Sequence, residues 1–116
     1  MTPGEHVRAE RTELTALRRD LHAHPELGFE EHRTAGIVVR ELTALGIEHH
    51  TGIGKTGVVG VVRGERQDSG RAVGLRADMD CLPMHEENTF AHVSKFKGRM
   101  HGCGHDGHTT RRLGAA

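Results

Sequence analysis

Met100–Thr109, MHGCGHDGHT, is the stretch of the sequence around which the rest of the chain is best interpreted. It holds one cysteine, three histidines and one aspartate, with three glycines between them. Thiolate and imidazole groups are preferred ligands of zinc and similar divalent ions. The glycines let the backbone turn tightly enough for neighbouring side chains to converge. The segment therefore predicts a metal site, and the alternative is an exposed loop rich in histidine and glycine.

The composition favours one small globular domain without net charge. The chain has 116 residues, and its 16 basic and 16 acidic side chains give a formal net charge of zero. This balance offers no reason to expect nucleic acid or an anionic membrane as partner, and base-stacking Trp and Tyr are absent. The N-terminal residues lack an apolar signal core, and no apolar run approaches a membrane span. We therefore expect a reducing, cytoplasmic setting, where cysteines serve as ligands or nucleophiles rather than disulfides.

Two helices are predicted in the first half of the chain. The first runs from about Glu5 to His22, because apolar residues recur there with helical spacing, and Pro25 ends it. The second runs from about Glu30 to Leu45. It is followed by Gly46, which is typical of the position after a last helical turn.

Three strands are predicted next. Ile47–Ile53 is a weak candidate, whereas Val58–Val62 is strongly apolar and should be covered on both faces. Ala72–Asp78 follows the polar segment Gly64–Gly70, and this short link favours an antiparallel hairpin between the last two strands. The third strand would deliver Asp78 and Asp80 to its C-terminal end, where α/β sheets place ligand crevices.

The remainder of the chain is predicted to be a long loop and a short helix. Residues 81–98 show no clear periodicity. A final helix is expected to begin at Gly107, capped by Asp106 or Thr109. Arg111 and Arg112 stand where a helix facing the core would carry apolar residues.

Several polar residues outside the central motif favour ordinary structural roles. His22 and His24 lie at a helix end, where a histidine is more often capping or solvated than a ligand. The pair Glu86–Glu87 lies in a loop and is expected to be solvated, because no apolar neighbourhood is evident that would raise a pKa. Cys81 is expected to be a small buried packing residue.

Three segments together resemble a known enzyme family. They are Leu17–Ala35 (LRRDLHAHPELGFEEHRTA), Leu75–Asn88 (LRADMDCLPMHEEN) and the central MHGCGHDGHT motif. In order and spacing they resemble the metal-dependent amidohydrolases of the hippurate hydrolase, N-acyl-amino-acid and auxin-conjugate hydrolase type. These enzymes belong to the aminoacylase and carboxypeptidase metallopeptidase superfamily. The resemblance implies an α/β fold: two N-terminal helices and part of a mixed sheet, at the start of a three-layer α/β/α catalytic domain.

The resemblance also implies a chemistry and a set of site residues. Such enzymes hydrolyse the amide bond of N-acyl amino acids with two divalent ions, which are zinc, manganese, nickel or cobalt. By position in the motif, Cys103 and His105 are the implied metal ligands, and Asp78 is the implied catalytic or ligand-orienting carboxylate. Arg76 stands where the wider superfamily has a metal-binding histidine. The candidates for supporting or substrate-facing roles are Asp80, His101, Asp106 and His108.

The sequence also departs from that family's pattern. Family members are several times longer, and their general-base Glu-Glu pair, further Glu and His ligands and dimerisation domain lie beyond a stretch of this length. Glu86–Glu87 precedes the CGHD motif and is not that pair. Residues 1–116 are therefore expected to be the N-terminal part of a catalytic domain, inactive alone, with homodimers expected only for full-length relatives. The alternative is a non-catalytic metal- or thiol-binding remnant of such an enzyme.

Overall fold

The computed structural model describes residues 2–66 and 68–116, which form four helices and one two-stranded sheet. The elements, in chain order, are α1 (Pro3–Ala9), α2 (Arg11–Ala23), α3 (His32–Ala44), β1 (Glu48–Ile53), β2 (Gly57–Val61) and α4 (His105–Ala115). The predicted α/β class is confirmed. Within the described residues, no helix has the length and apolar character needed to cross a membrane.

The predicted first helix is in fact two helices. Thr2 caps α1 by accepting from the backbone N–H of Glu5, whose carboxylate accepts from the backbone N–H of Thr2 in return. This reciprocal capping box starts a helix, but Glu10 has φ −95° and ψ 5° and interrupts it before α2 begins. Since α1 buries none of its residues, the core does not hold it in line with α2.

Helix α3 begins at His32, later than the predicted Glu30, and a side chain of the preceding turn caps it. The Glu26 carboxylate accepts from the backbone N–H groups of Arg33 and Thr34 at 3.0 and 2.6 Å, and from the Thr34 hydroxyl at 2.7 Å. These bonds satisfy donors that a first helical turn leaves free. At the other end, Gly46 adopts φ 69°, as expected of a residue that follows a helix C-terminus.

The sheet is a hairpin of the two earlier strands. β1 and β2 pair antiparallel, with Glu48 opposite Val61 and His50 opposite Val59. The predicted pairing of Val58–Val62 with Ala72–Asp78 is therefore wrong. The turn at residues 54–56 connects β1 directly to β2, and a short connection of this kind brings consecutive strands together.

The predicted third strand is not formed in the part of the chain that the structure describes. Ala72–Asp78 lies without regular secondary structure, and Val73 and Leu75 are 85% and 66% exposed. A strand needs a neighbour to receive its backbone hydrogen bonds, and the β1–β2 pair does not extend to this segment. The expected cover on both faces of the second strand is also missing, since Val59 and Val62 are exposed.

The long loop before α4 is fastened to the helices by backbone hydrogen bonds. Lys95 N–H donates to the Ala23 carbonyl, and Cys81 N–H donates to the Glu26 carbonyl, both at 2.9 Å. Leu82 and Met100 exchange two hydrogen bonds and close the loop on itself. The loop therefore lies against the turn between α2 and α3.

Helix α4 packs mainly against α2. It starts at His105 rather than at the predicted Gly107, and its N-cap is Gly104 with φ 86°, a left-handed conformation that favours glycine. Gly114 permits close packing, because a Cβ there would lie 3.1 Å from Leu14, and Gly107 lies beside the Arg18 side chain. The small core around these contacts contains Leu21, Ala23, Ile37, Leu42, Cys81 and Leu113.

Candidate functional site

The side chains of Asp78, Asp80 and His105 form what we call the open cluster, and Cys103 lies two residues before His105 in the chain. Its best-defined member is His105, the first residue of α4. The His105 Nδ1 atom lies 2.9 Å from the Asp80 carbonyl oxygen and 3.0 Å from Asp80 Oδ1. Both partners are acceptors, so Nδ1 carries the proton and donates it. In the neutral ring the Nε2 atom then carries the lone pair, and it lies 3.9 Å from Asp78 Oδ2.

This arrangement is typical of a histidine prepared to bind a metal. Histidine ligands usually donate their second ring N–H to a carboxylate or a carbonyl, which fixes the tautomer and aims the other nitrogen. Asp80 provides both kinds of acceptor for His105. The structure thus brings three of the predicted site residues together, namely Asp78, Asp80 and His105.

Asp78 is held in its charged form at the edge of the open cluster. Arg76 Nε donates to Asp78 Oδ1 at 2.9 Å, Arg76 Nη2 lies 2.8 Å from the same oxygen, and this contact lowers the pKa of Asp78 below its ordinary value. The Thr109 hydroxyl of α4 donates to the Asp78 backbone carbonyl at 3.0 Å. The same helix that carries His105 therefore also positions the backbone of Asp78.

The two cysteines have opposite surroundings. Cys103 is exposed in the loop before α4, whereas Cys81 is buried, as predicted, and burial raises the pKa of its thiol. A thiol that resists ionisation is a poor metal ligand, so only Cys103 is accessible for that role. Across residues 2–66 and 68–116, however, no group of three or more His, Cys, Asp or Glu side chains is arranged to hold a metal ion. The donors fit part of a metal site.

His108 lies one turn into α4 from His105, and the two ring centroids are 5.5 Å apart. Its side chain is exposed, so it is free to face a substrate or the solvent.

A second group, which we call the buried network, joins His22, Glu86 and Asp106. The His22 Nδ1 atom lies 2.9 Å from Asp106 Oδ2, and its Nε2 atom lies 2.7 Å from Glu86 Oε2. Both carboxylate side chains are only 1% exposed. The expectations that Glu86 is solvated and that His22 merely caps or meets solvent are therefore wrong. The loop folds back over α2 and places Glu86 inside the protein.

The buried network favours the cationic form of its histidine. Burial alone would lower the pKa of His22, but the hydrogen bonds to Glu86 and Asp106 outweigh it and raise the pKa above its ordinary value. Burial would likewise raise the pKa of Glu86, but hydrogen bonds from Asn88, His22 and the Ser94 backbone lower it instead. An imidazolium between two carboxylates is the charge distribution that both shifts favour.

His101 lies beside the buried network, with its ring centroid 6.4 Å from that of His22. It is 5% exposed, and burial lowers its pKa, so it is neutral at pH 7. Neither of its ring nitrogens, nor Asp106 Oδ1, has a hydrogen-bond partner among the described residues. His101 and Asp106 are thus interior residues rather than members of the open cluster.

Sequence reasoning missed the buried network because its members are far apart along the chain. His22 and Asp106 are separated by 84 positions, and His22 and Glu86 by 64. The only local signal is that His22 follows Leu21, a residue on the apolar stripe of its helix, so that it lies near the boundary of the core.

Comparison with known proteins supports the relationship suggested by the motifs. Residues 74–116 match the model of Peptidase family M20/M25/M40. Over 106 residues the chain is 50% identical to an N-acyl-L-amino acid amidohydrolase of Geobacillus stearothermophilus, covering 91% of this chain. Over 104 residues it is 48% identical to a hippurate hydrolase of Campylobacter jejuni, covering 90% of this chain.

A crystal structure gives the same result at the level of the fold. It is that of a Bacillus subtilis protein described as a dinuclear metal binding peptidase from the M20 family. It superposes on 91% of this chain with a TM-score of 0.84 at 40% identity. The chain is thus similar to members of Peptidase family M20/M25/M40.

The M20 relatives are considerably longer than this chain. It spans 28% of the Geobacillus amidohydrolase, 27% of the Campylobacter hydrolase and 29% of the Bacillus structure. The open cluster and Cys103 lie within the segment that matches the M20 family model, since Asp78, Asp80, Cys103 and His105 all fall between residues 74 and 116. The match therefore includes the residues whose chemistry is in question.

Proposed function

We propose that this chain supplies part of the active site of a metal-dependent amidohydrolase that acts on N-acyl amino acids. The observation that carries the proposal is the His105 ring, whose Nδ1 is held by Asp80 and whose Nε2 faces Asp78. The relatives named above, an N-acyl-L-amino acid amidohydrolase and a hippurate hydrolase, support the substrate class. A reducing, cytoplasmic setting would keep both cysteines as free thiols.

In this proposal His105 Nε2 and the Cys103 thiolate would hold a divalent ion, namely zinc, manganese, nickel or cobalt. Such an ion, when bound, lowers the pKa of water and polarises a carbonyl group. Asp80 keeps the proton of His105 on Nδ1 and fixes the direction of the ring. Asp78, held as an anion by Arg76, lies 3.9 Å from the Nε2 nitrogen of His105 and is the candidate catalytic or ligand-orienting carboxylate.

The 116-residue chain is expected not to turn over hippurate by itself. It offers two predicted ligands, and the described residues bring no third donor into the same group. Purified chain should be incubated with hippurate and added manganese, zinc or cobalt. Turnover that Cys103→Ala abolishes would contradict the expected inactivity and would support a self-sufficient enzyme.

The metal-binding half of the proposal can be tested separately. Cobalt titration of the chain should produce a thiolate-to-cobalt absorption band, which Cys103→Ser or His105→Ala should remove. Cys81→Ser is the matched control and should leave the band unchanged, because the Cys81 thiol is buried with a raised pKa. A band that persists in Cys103→Ser, or no band in the parent chain, would overturn the assignment.

The second candidate function is a non-catalytic metal- or thiol-binding remnant. It is favoured by the exposure of Cys103 and by the lack, among the described residues, of any group of three or more donors arranged to hold a metal ion. The coding sequence downstream of Ala116 and the intact mass of the native protein distinguish the two. A longer product with further Glu and His ligands supports the enzyme, and a product of 12.7 kDa supports the remnant.

A further inference from the structure

A cleft of about 690 Å³ lies where α2 crosses α4, on the outer side of the buried network. Its volume falls within the range of small-molecule sites, which is roughly 300 to 1,000 Å³. Four arginines line it: Arg11, Arg18 and Arg19 from α2, and Arg111 from α4. In a chain whose formal net charge is zero, this is a strong local concentration of positive charge.

The sequence places these arginines on matching helix faces. Arg11, Arg18 and His22 recur at spacings of seven and four along α2, so they share one side of the helix. On α4, Arg111 lies four residues after Gly107, and the Arg18 side chain packs beside Gly107. The close helix crossing therefore brings guanidinium groups from two elements to one depression.

The positive charge of the cleft is largely unneutralised. Of the residues that line it, only Asp106 carries a carboxylate, and Asp106 is 2% exposed. Its Oδ2 atom already contacts His22 Nδ1 and lies 3.6 Å from Arg18 Nε. Arg11, Arg19 and Arg111 form no ion pair with any residue that the structure describes. His92 responds to this field: burial lowers its pKa, and the charges of Arg19, His22 and Arg18 lower it further.

One wall of the cleft is a flat aromatic surface. The rings of Phe90 and His92 stack with centroids 3.9 Å apart and planes inclined by 10°. Phe90 remains 40% exposed, so part of the stack is accessible to a ligand. A planar ring that approaches this wall would bring an attached anion within reach of the guanidinium groups.

We propose that this cleft binds a small molecule that carries two or more phosphate groups. Guanidinium groups bind phosphate oxygens through paired, charge-assisted hydrogen bonds, and several of them can share one oligophosphate. The aromatic wall would add a preference for a nucleoside triphosphate over free tripolyphosphate, because a base can stack on it. The site is separate from the open cluster and does not depend on the proposed amidohydrolase function.

The test is a calorimetric titration of the 116-residue chain, in metal-free buffer, with tripolyphosphate and with adenosine triphosphate. Both probes should bind, and the double variant Arg19→Gln/Arg111→Gln should weaken each by about tenfold, as expected for the loss of charged hydrogen bonds. The double variant Arg40→Gln/Arg71→Gln removes the same charge elsewhere and should change each affinity less than about twofold. The four substituted arginines are all exposed, so circular dichroism should show an unchanged fold.

Phe90→Leu separates the two phosphate sources. It should weaken adenosine triphosphate but not tripolyphosphate if the base stacks on the aromatic wall. Three results would overturn the proposal: no binding of either probe at millimolar concentration, equal weakening by the two double variants, or a decanucleotide that binds much more tightly than adenosine triphosphate. The last would assign the cleft to single-stranded nucleic acid instead.

Discussion

His105 and Asp106 are adjacent in sequence, yet their side chains belong to two different environments. Consecutive residues of a helix point about 100° apart. At the start of α4 this rotation sends His105 to the open cluster and Asp106, which is 2% exposed, into the buried network. The CGHD motif therefore combines a candidate ligand position with a structural position.

The difference between the two groups lies in how completely their hydrogen-bonding atoms are used. In the buried network both ring nitrogens of His22 meet carboxylates, whereas in the open cluster one nitrogen of His105 is left facing Asp78 at 3.9 Å. A histidine with both nitrogens occupied stabilises the fold, and one with a free nitrogen can bind something else. This contrast leads to four predictions.

Removing His22 should cause the largest loss of stability. His22→Ala leaves Glu86 and Asp106 buried without their shared cation, and breaking such an arrangement costs about 3 kcal/mol. Urea denaturation measures the loss, with His108→Ala as the control, because that exposed side chain should contribute less than about 0.5 kcal/mol. His22→Gln, which can keep one hydrogen bond, should fall between them. Equal losses for all three would show that the network is not structural.

Asp80→Asn should weaken cobalt binding by about tenfold without comparable loss of stability. The amide can no longer receive the Nδ1 proton of His105 as a charged acceptor, so the ring is held less firmly. Asp68→Asn removes the same charge from an exposed position and serves as the control. Unchanged affinity in Asp80→Asn would mean that Asp80 does not position His105.

The buried network should give the protein a stability maximum between two titrations. The raised pKa of His22 means that its contribution is complete below its ordinary value of 6.5 and is lost as pH rises through the raised value. The lowered pKa of Glu86 means that its contribution is present above its ordinary value of 4.5 and is lost as pH falls through the lowered value. Denaturation across pH should show both limbs in the parent chain, and His22→Gln should flatten the alkaline limb.

Arg76→Ala should have the smallest effect, confined to the open cluster. Without the guanidinium, the pKa of Asp78 should return towards its ordinary value, which NMR titration of the carboxyl resonance would detect. The urea midpoint should not move measurably, because this ion pair is exposed. A shifted midpoint would place Arg76 in the structural part of the molecule.

The sequence predicted elements whose cause is local. The apolar repeats of α2 and α3 and the glycine after α3 are local features, and all three are confirmed in kind. The start of α3 was misplaced because Glu26, a residue of the preceding turn, caps it. The strand at Ala72–Asp78 was overpredicted because a local apolar pattern does not supply a hydrogen-bonding neighbour.

For the candidate site the same distinction holds. Cys103, His105 and Asp106 were recognisable within one short motif. The pairing of His105 with Asp80 spans 25 positions, and that of His22 with Asp106 spans 84, so neither follows from spacing. Burial of Glu86 depends on where the long loop folds, which no feature around Glu86 indicates.

The attachment of that loop to the helices has a consequence for handling the protein. Three points of backbone contact, at Cys81, Lys95 and the Leu82–Met100 bridge, hold a segment that has little regular structure of its own. Limited digestion by trypsin should therefore spare Lys95, whose backbone is bonded to Ala23, and cut first near Arg66 and Arg71, where the chain is exposed. The first stable pieces should then be an N-terminal one with helices α1–α3 and the hairpin, and a C-terminal one that carries Cys103 and His105.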